Sequence, residues 1–301
     1  MPGTRVAPTY TPAMMNSDTQ SAPPPGTSPA SMAPRLAFIG GGNMACAILG
    51  GLIASAHPAD RVLVVEPHAP QAAQVREKFG VRVEAAGGAA LGDADIVVWA
   101  VKPQVFRDAA APCAPFVDKA LHLSVMAGIR SDAIAHATGS ERVVRAMPNT
   151  PALIGEGIAG LFARAAVRAD DRAAIERVLA PTGETLWVAQ ESDLDAVTAL
   201  SGSGPAYVFF FLEAMMQAAA DMGLSPEQGR RLALATFKGA TSLARASDEP
   251  PETLRGRVTS KGGTTHAAIT AMESAKVKPA IVQALRAAQA RAKELGDEFG
   301  A

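Results

Sequence analysis

Near its end the chain reads TSKGGTTHAAI, residues 259–269, a lysine, two glycines and two threonines leading into a helical pattern. The first turn of a helix leaves amides without intrahelical partners and carries the positive end of the dipole. Such amides suit a carboxylate or phosphate, and a threonine hydroxyl beside them either bonds a substrate atom or caps the helix. A second constellation, FIGGGNMA at residues 38–45, closes an apolar run and opens another helical stretch. It fits G-x-G-x-x-A with Gly40, Gly42 and Ala45. The first glycine serves a tight turn, the second lets a pyrophosphate reach the backbone, and the alanine allows close helix–sheet packing. Ile39, Gly40, Gly41, Gly42, Asn43 and Met44 are therefore expected to contact a dinucleotide.

The next strand-like run, RVLVVE, ends at Glu66. An acidic residue there holds the adenosine ribose diol, which favours NAD. A solvated strand end is the plain alternative, and a protonated His68 would suit the 2′-phosphate of NADP, so both cofactors stay open. AVKP, residues 100–103, follows DIVVW at the carboxyl end of a strand, where ligands bind in open α/β sheets. Ala100, Val101, Lys102 and Pro103 join the cofactor candidates; Lys102 is either a ligand to cofactor or substrate or an ordinary surface lysine. VMAG and MPNTP end two further runs and add Ala127 and Asn149. Successive strand ends of this kind read as a dinucleotide lying across a sheet edge.

The elements that must hold these residues are set by the hydrophobic pattern. Strands are expected at 36–39, 61–65, 96–100, 121–127, 143–147, 158–162 and 186–188, with Ala-rich helical segments between several of them. That alternation predicts an N-terminal Rossmann-type, doubly wound, mostly parallel α/β sheet over residues 34–192. Beyond it the strand signals stop, and an all-α domain over 193–301 is expected, with helices at 206–222, 226–246, 265–274 and 278–295. The first of these is apolar nearly all round and should be buried on every side. A helical domain of this size has little room to bury it alone, so subunit association is expected. Residues 1–33, rich in Pro, Ala, Ser and Thr, bury too little to fold and read as a disordered tail. A chain starting at Met32 would keep every motif.

Composition narrows the function. The chain has 301 residues, with 28 Lys+Arg against 29 Asp+Glu, and shows no basic stripe with aromatics, which argues against nucleic acid. Cys46 and Cys113 lack metal-ligand spacing, so neither a metal site nor a disulfide framework is expected, and a reducing cytoplasm fits. Residues 36–59 contain no Asp, Glu, Lys or Arg, but five glycines and a proline break them into strand and helix rather than a membrane span. No basic n-region precedes them, so a signal peptide is not expected either. No Ser/His/Asp array is visible; His57, His122 and His136 read as structural or surface residues, and His266 as a first-turn surface residue.

FIGGGNMA, AVKP, RAMPNTPAL, SGSGPAYVF and VTSKGGTTHAA, in this order and spacing, resemble pyrroline-5-carboxylate reductases over roughly residues 35–297. The resemblance implies reduction of the cyclic imine 1-pyrroline-5-carboxylate to L-proline by NADPH or NADH, the last step of proline biosynthesis. It also implies a C-terminal dimerisation domain, homodimers with interwound helical domains and, often, larger rings. Each site there joins the nucleotide domain of one subunit to the helical domain of another. Amides of Gly263, Thr264 and Thr265 would then hold the substrate carboxylate, with Ser260 and Lys102 nearby. Thr265 matches the family threonine that bonds the substrate nitrogen, which makes it the catalytic candidate; a simple N-cap is the alternative. Two departures stand out. Lys261 replaces the proline of many relatives, and Glu66 replaces a small polar residue suited to a 2′-phosphate. Two rivals are a β-hydroxyacid or other imine reductase, which would need a lysine on a helix of the second domain, and a nucleotide sensor, which would not need the KGGTT loop.

Overall fold

The computed structural model describes residues 33–299. The tail expected at 1–33 thus falls outside the described residues except for its last position. One eight-stranded sheet contains β1 (Leu36–Ile39), β2 (Val62–Val65), β3 (Arg82–Glu84), β4 (Ile96–Trp99), β5 (Leu121–Ser124), β6 (Val143–Met147), β7 (Gly157–Ala163) and β8 (Gly183–Trp187). Their order is β3-β2-β1-β4-β5-β6-β7-β8. Neighbours are parallel except β6 and β7, which run antiparallel. Helices α1 (Asn43–Ala54), α2 (Ala69–Phe79), α3 (Phe106–Ala110), α4 (Ala114–Val117), α5 (Ser131–Thr138) and α6 (Ala169–Leu179) connect them.

Because helices cover both faces, β1, β2 and β4 are apolar at every position, and β5 and β6 depart from this only at buried His122, Ser124 and Arg145. Leu36 and Phe38 of β1 pack with Ile48, Leu49 and Ile175 on one side, while Ala37 and Ile39 pack with Trp99, Phe106 and Ile134 on the other. The fold class is the one expected from sequence. β3 was not expected: its three residues are half-exposed and two are charged, so an edge strand formed by pairing with β2 leaves no periodic signature.

His122 of β5 is fully buried. Its Nδ1 accepts a hydrogen bond from Trp99 Nε1 at 3.0 Å, and its Nε2 faces the Val117 carbonyl at 3.1 Å. Burial pushes the imidazole down from 6.5 to about 4. The unfolded chain therefore takes up the proton first, and stability present above pH 6.5 is lost as the pH falls toward 4. Urea unfolding should lose about 2 kcal/mol between pH 7 and pH 5, and that slope should flatten in His122→Gln.

After β8 come α7 (Asp193–Val197), a π-helical turn (Thr198–Gly202), α8 (Gly204–Asp221), α9 (Pro226–Arg245), α10 (Pro251–Arg257), α11 (Thr264–Ser274) and α12 (Val277–Phe299). α7, the π turn and α10 were not expected; Gly202, Gly204 and Pro205 disguise the first two as a loop. Across α8 to α11 only Ala219, Gly229 and Ala233 are buried, at the close α8–α9 crossing. The expectation that α8 is buried on every side therefore fails within one chain. Phe209 is 59% and Phe210 68% exposed, because among the described residues no second layer covers them. The end of α12 returns to the sheet, where Asp297 pairs with Arg130 at 2.6 Å.

Candidate active site

The turn between β1 and α1 is held open from behind. The Gly41 amide donates to Glu66 Oε2 at 2.8 Å, and the Gly41 carbonyl accepts from Gln71 Nε2 at 2.5 Å and from the Cys46 thiol at 3.3 Å. Glu66 Oε1 also accepts from the His68 amide at 2.9 Å. Gln71 and Cys46 went unnoticed in the sequence because they act from a neighbouring helix and from α1's own first turn. Gly42 and Asn43 are exposed, and a Cβ added to Gly42 would meet nothing within 4 Å. The first turn of α1 contains no acidic residue. An exposed, acid-free helix start with an open space in front of it fits the pyrophosphate of a dinucleotide.

The other cofactor candidates sit at neighbouring strand ends. Ile39 is 1% exposed, with its side chain in the core. Ala100 follows β4, its amide bonded to the Ile39 carbonyl at 2.9 Å, and exposed Lys102 starts the turn that Pro103 continues. Val101 is half-buried and packs on the core, Met44 is half-buried on α1, and Ala127 is exposed just beyond β5. Asn149 follows β6 with its side chain engaged: Nδ2 donates to Ser201 Oγ at 3.2 Å, and Oδ1 accepts from the Ile158 amide at 3.1 Å. Ser201 belongs to SGSGPAY, so the structure joins two motifs that lie far apart in sequence.

Glu66 beside the turn bears on cofactor choice. Its carboxylate would repel a 2′-phosphate, so Glu66→Ser should raise the ratio of kcat/KM for NADPH over NADH by about tenfold or more. An unchanged ratio would place Glu66 outside the pocket.

The KGGTT stretch lies at the start of α11, which buries none of its residues. Gly262 takes a left-handed φ of +77°, turning the chain so that Gly263, at φ −82°, becomes the N-cap. The amide of Gly263 donates to the Ser260 carbonyl at 3.0 Å. That corrects one expectation: Gly263 closes the turn, and the free first-turn amides are those of Thr264, Thr265 and His266. Thr265 is not the N-cap, and no side chain caps this helix. Among the described residues no hydrogen bond joins Ser260, Gly263, Thr264 or Thr265 to the strand ends of the same chain.

An open groove of about 970 Å³ runs from Asn149 and Ser201 along α8 and α12. Phe209, Phe210 and Ile281 line it, so an apolar surface wanting a cover adjoins the strand ends. Among the described residues no helix is long and apolar enough to cross a membrane.

Residues 191–295 match the family model described as pyrroline-5-carboxylate reductase dimerisation, and residues 35–128 that described as NADP oxidoreductase, coenzyme F420-dependent. The chain is 36% identical to the solved pyrroline-5-carboxylate reductase of Coxiella burnetii, covering 87% of this chain and 98% of that one with a TM-score of 0.82. The Plasmodium falciparum enzyme, solved with NADP bound, is 28% identical over 87% of this chain and 98% of its own, with a TM-score of 0.78. Similarity to the pyrroline-5-carboxylate reductase of Pseudomonas aeruginosa reaches 42% identity over 269 residues, 89% of this chain and 98% of that protein. A likeness that strong over nearly the whole of a relative, carried through both halves of the fold, means that this chain belongs to the pyrroline-5-carboxylate reductase family.

Proposed function

We propose that the protein reduces 1-pyrroline-5-carboxylate to L-proline with NAD(P)H, in a site made by the strand ends of one protomer and the start of α11 of another. The observation that carries this reading is the start of α11. Its free amides and the Thr265 hydroxyl project from a helix with no buried residue, on a segment whose large apolar side chains lack a cover. A second copy seated in the α8–α12 groove would cover them and bring its own α11 toward the strand ends. The arrangement is a homodimer with interwound helical domains, and sedimentation shows whether dimers assemble further into a ring. The nucleotide domain spans 34–192 and the helical domain 193–301. Free cysteines at Cys46 and Cys113 support a cytoplasmic setting.

Bound NAD(P)H supplies the hydride that reaches the imine carbon. Residues of the chain do the rest. Backbone from Ile39 to Met44 holds the pyrophosphate, Glu66 faces the ribose, and Ala100 to Pro103, Ala127 and Asn149 border the nicotinamide. Thr264 and Thr265 amides hold the substrate carboxylate, with Ser260 closing the turn behind them and Lys102 and Lys261 adding positive charge. The Thr265 hydroxyl orients the ring nitrogen as it gains its proton.

Loss of reduced-nicotinamide absorbance on adding the cyclic imine, with proline as product, tests the activity; no turnover with either cofactor overturns it. Thr265→Val tests the site. Losing one hydrogen bond to substrate should cost about 1–3 kcal/mol, roughly 5- to 150-fold in kcat/KM, with Tm nearly unchanged because Thr265 caps nothing. Unchanged kinetics would remove Thr265 from the site.

A further inference from the structure

We infer that Glu191 is a positioning residue for the reduction: with Arg145 and Ser131 it fixes one end of a rail, formed by α7 and the π turn lying against β7 and the end of β6, whose other end is the Asn149–Ser201 bridge. The inference rests on the proposed reaction, since the strand ends it aligns are those assigned to the nicotinamide.

Glu191 lies in the short link between β8 and α7. Its Oε1 accepts from the Ser131 amide and from an Arg145 terminal nitrogen, each at 2.7 Å, and its Oε2 accepts from Ser131 Oγ at 2.6 Å. Arg145 is 7% exposed on β6, and Glu191 is its one carboxylate partner among the described residues. Ser131 heads α5, immediately after the turn that carries Ala127. One carboxylate therefore ties the start of α5, just past the turn that carries Ala127, to β6.

From there the chain runs against the sheet without room to slide. A Cβ on Gly160 of β7 would fall 2.7 Å from a Val197 methyl, and one on Gly202 would fall 2.5 Å from Met147 Cε. Met147 and Gly160 are themselves paired across β6 and β7. Ser203 N donates to the Thr198 carbonyl at 2.8 Å, the wide bond of the π turn. That extra residue rotates the next stretch of chain by about 100° relative to an unbroken α-helix, and Ser201 ends up facing Asn149. The two paths match in length. From Arg145 to Asn149 extended chain covers about 13 Å, and the helical stretch from Asp193 to Ser201 covers about 12 Å. Both ends are thus staked, and a shift at Glu191 is passed to Asn149.

A purely structural ion pair makes a different prediction. Removing one partner leaves a buried charge alone, whereas replacing both removes that penalty. The test is therefore the double variant Arg145→Met with Glu191→Gln in the full-length protein, compared with each single variant. Under the rail, Tm recovers in the double variant but kcat stays down roughly ten- to a hundredfold. Its Kd for NAD(P)H stays within about threefold of wild type, because the glycine turn is untouched. The fluorescence of the bound reduced nicotinamide changes as well. Wild-type kcat in a folded double variant overturns the inference.

If the double variant fails to fold, Ser131→Ala takes its place, deleting the hydroxyl's short bond to Glu191 and its longer one from Arg164 while keeping every charge. A loss of about three- to tenfold in kcat at nearly constant Tm supports the rail, and an unchanged kcat overturns it. The fluorescence reading needs no imine. A wild-type protein that binds NAD(P)H but ignores the imine therefore sinks the proposed reaction, while the rail is still judged on the bound nicotinamide.

Discussion

The paired substitution Phe209→Asp with Phe210→Asp is expected to give a protein that sediments as a monomer and loses at least about a hundredfold in kcat/KM. In one chain these rings are 59% and 68% exposed and line the groove between α8 and α12. Covering a phenylalanine is worth about 1.5–3 kcal/mol, and a two-fold interface uses each position twice. The four lost side chains amount to roughly 6–12 kcal/mol, or about four to nine orders of magnitude in the dimer constant, before the cost of burying carboxylates. In the proposed arrangement activity falls with the dimer, because the α11 start of a second chain would complete the site. Sedimentation and kinetics over a range of protein concentrations check this, and a variant that stays dimeric and active would show that the groove is not the subunit interface.

How far the sequence could be read depended on whether a residue's partner was near in the chain. The central strands were plain because β1, β2 and β4 are continuous apolar runs buried on both faces, and β5 and β6 are apolar but for His122, Ser124 and Arg145. The turn at Gly40 to Asn43 was plain because the strand, glycines and helix succeed one another directly. β3 was hidden because Arg82 and Glu84 carry no pattern of their own and only pairing with β2 makes them a strand. The π turn was hidden by glycines, among them the Gly202 that lets it pack against Met147. The Glu191–Arg145 contact spans 46 positions and Asn149–Ser201 spans 52, and single-sequence spacing holds no record of either. Thr265 was legible as a helix-start residue, but its freedom from capping became visible only once Gly263 was seen as the N-cap.

Gly40→Ala and Gly42→Ala should fail in opposite ways, although both change one glycine of the same turn. Gly40 has φ +98°, a region alanine rarely adopts, and its added Cβ would lie 2.7 Å from the Ala100 carbonyl oxygen. That oxygen belongs to backbone at the end of β4 and cannot swing aside. Backbone strain of about 1–3 kcal/mol plus the clash should lower Tm by several degrees and spoil the cofactor site together with the fold. Gly42 has φ −72°, which any residue adopts, and a Cβ there meets nothing within 4 Å. Gly42→Ala should therefore keep the wild-type Tm without ligand. The empty space is nevertheless where a pyrophosphate would approach the backbone, so the methyl should weaken NAD(P)H binding about ten- to a hundredfold. The apo Tm and the NAD(P)H Kd of both variants separate these effects. A Gly42→Ala protein with wild-type affinity would mean that the dinucleotide does not pass over this turn, and the placement of the cofactor would have to be abandoned.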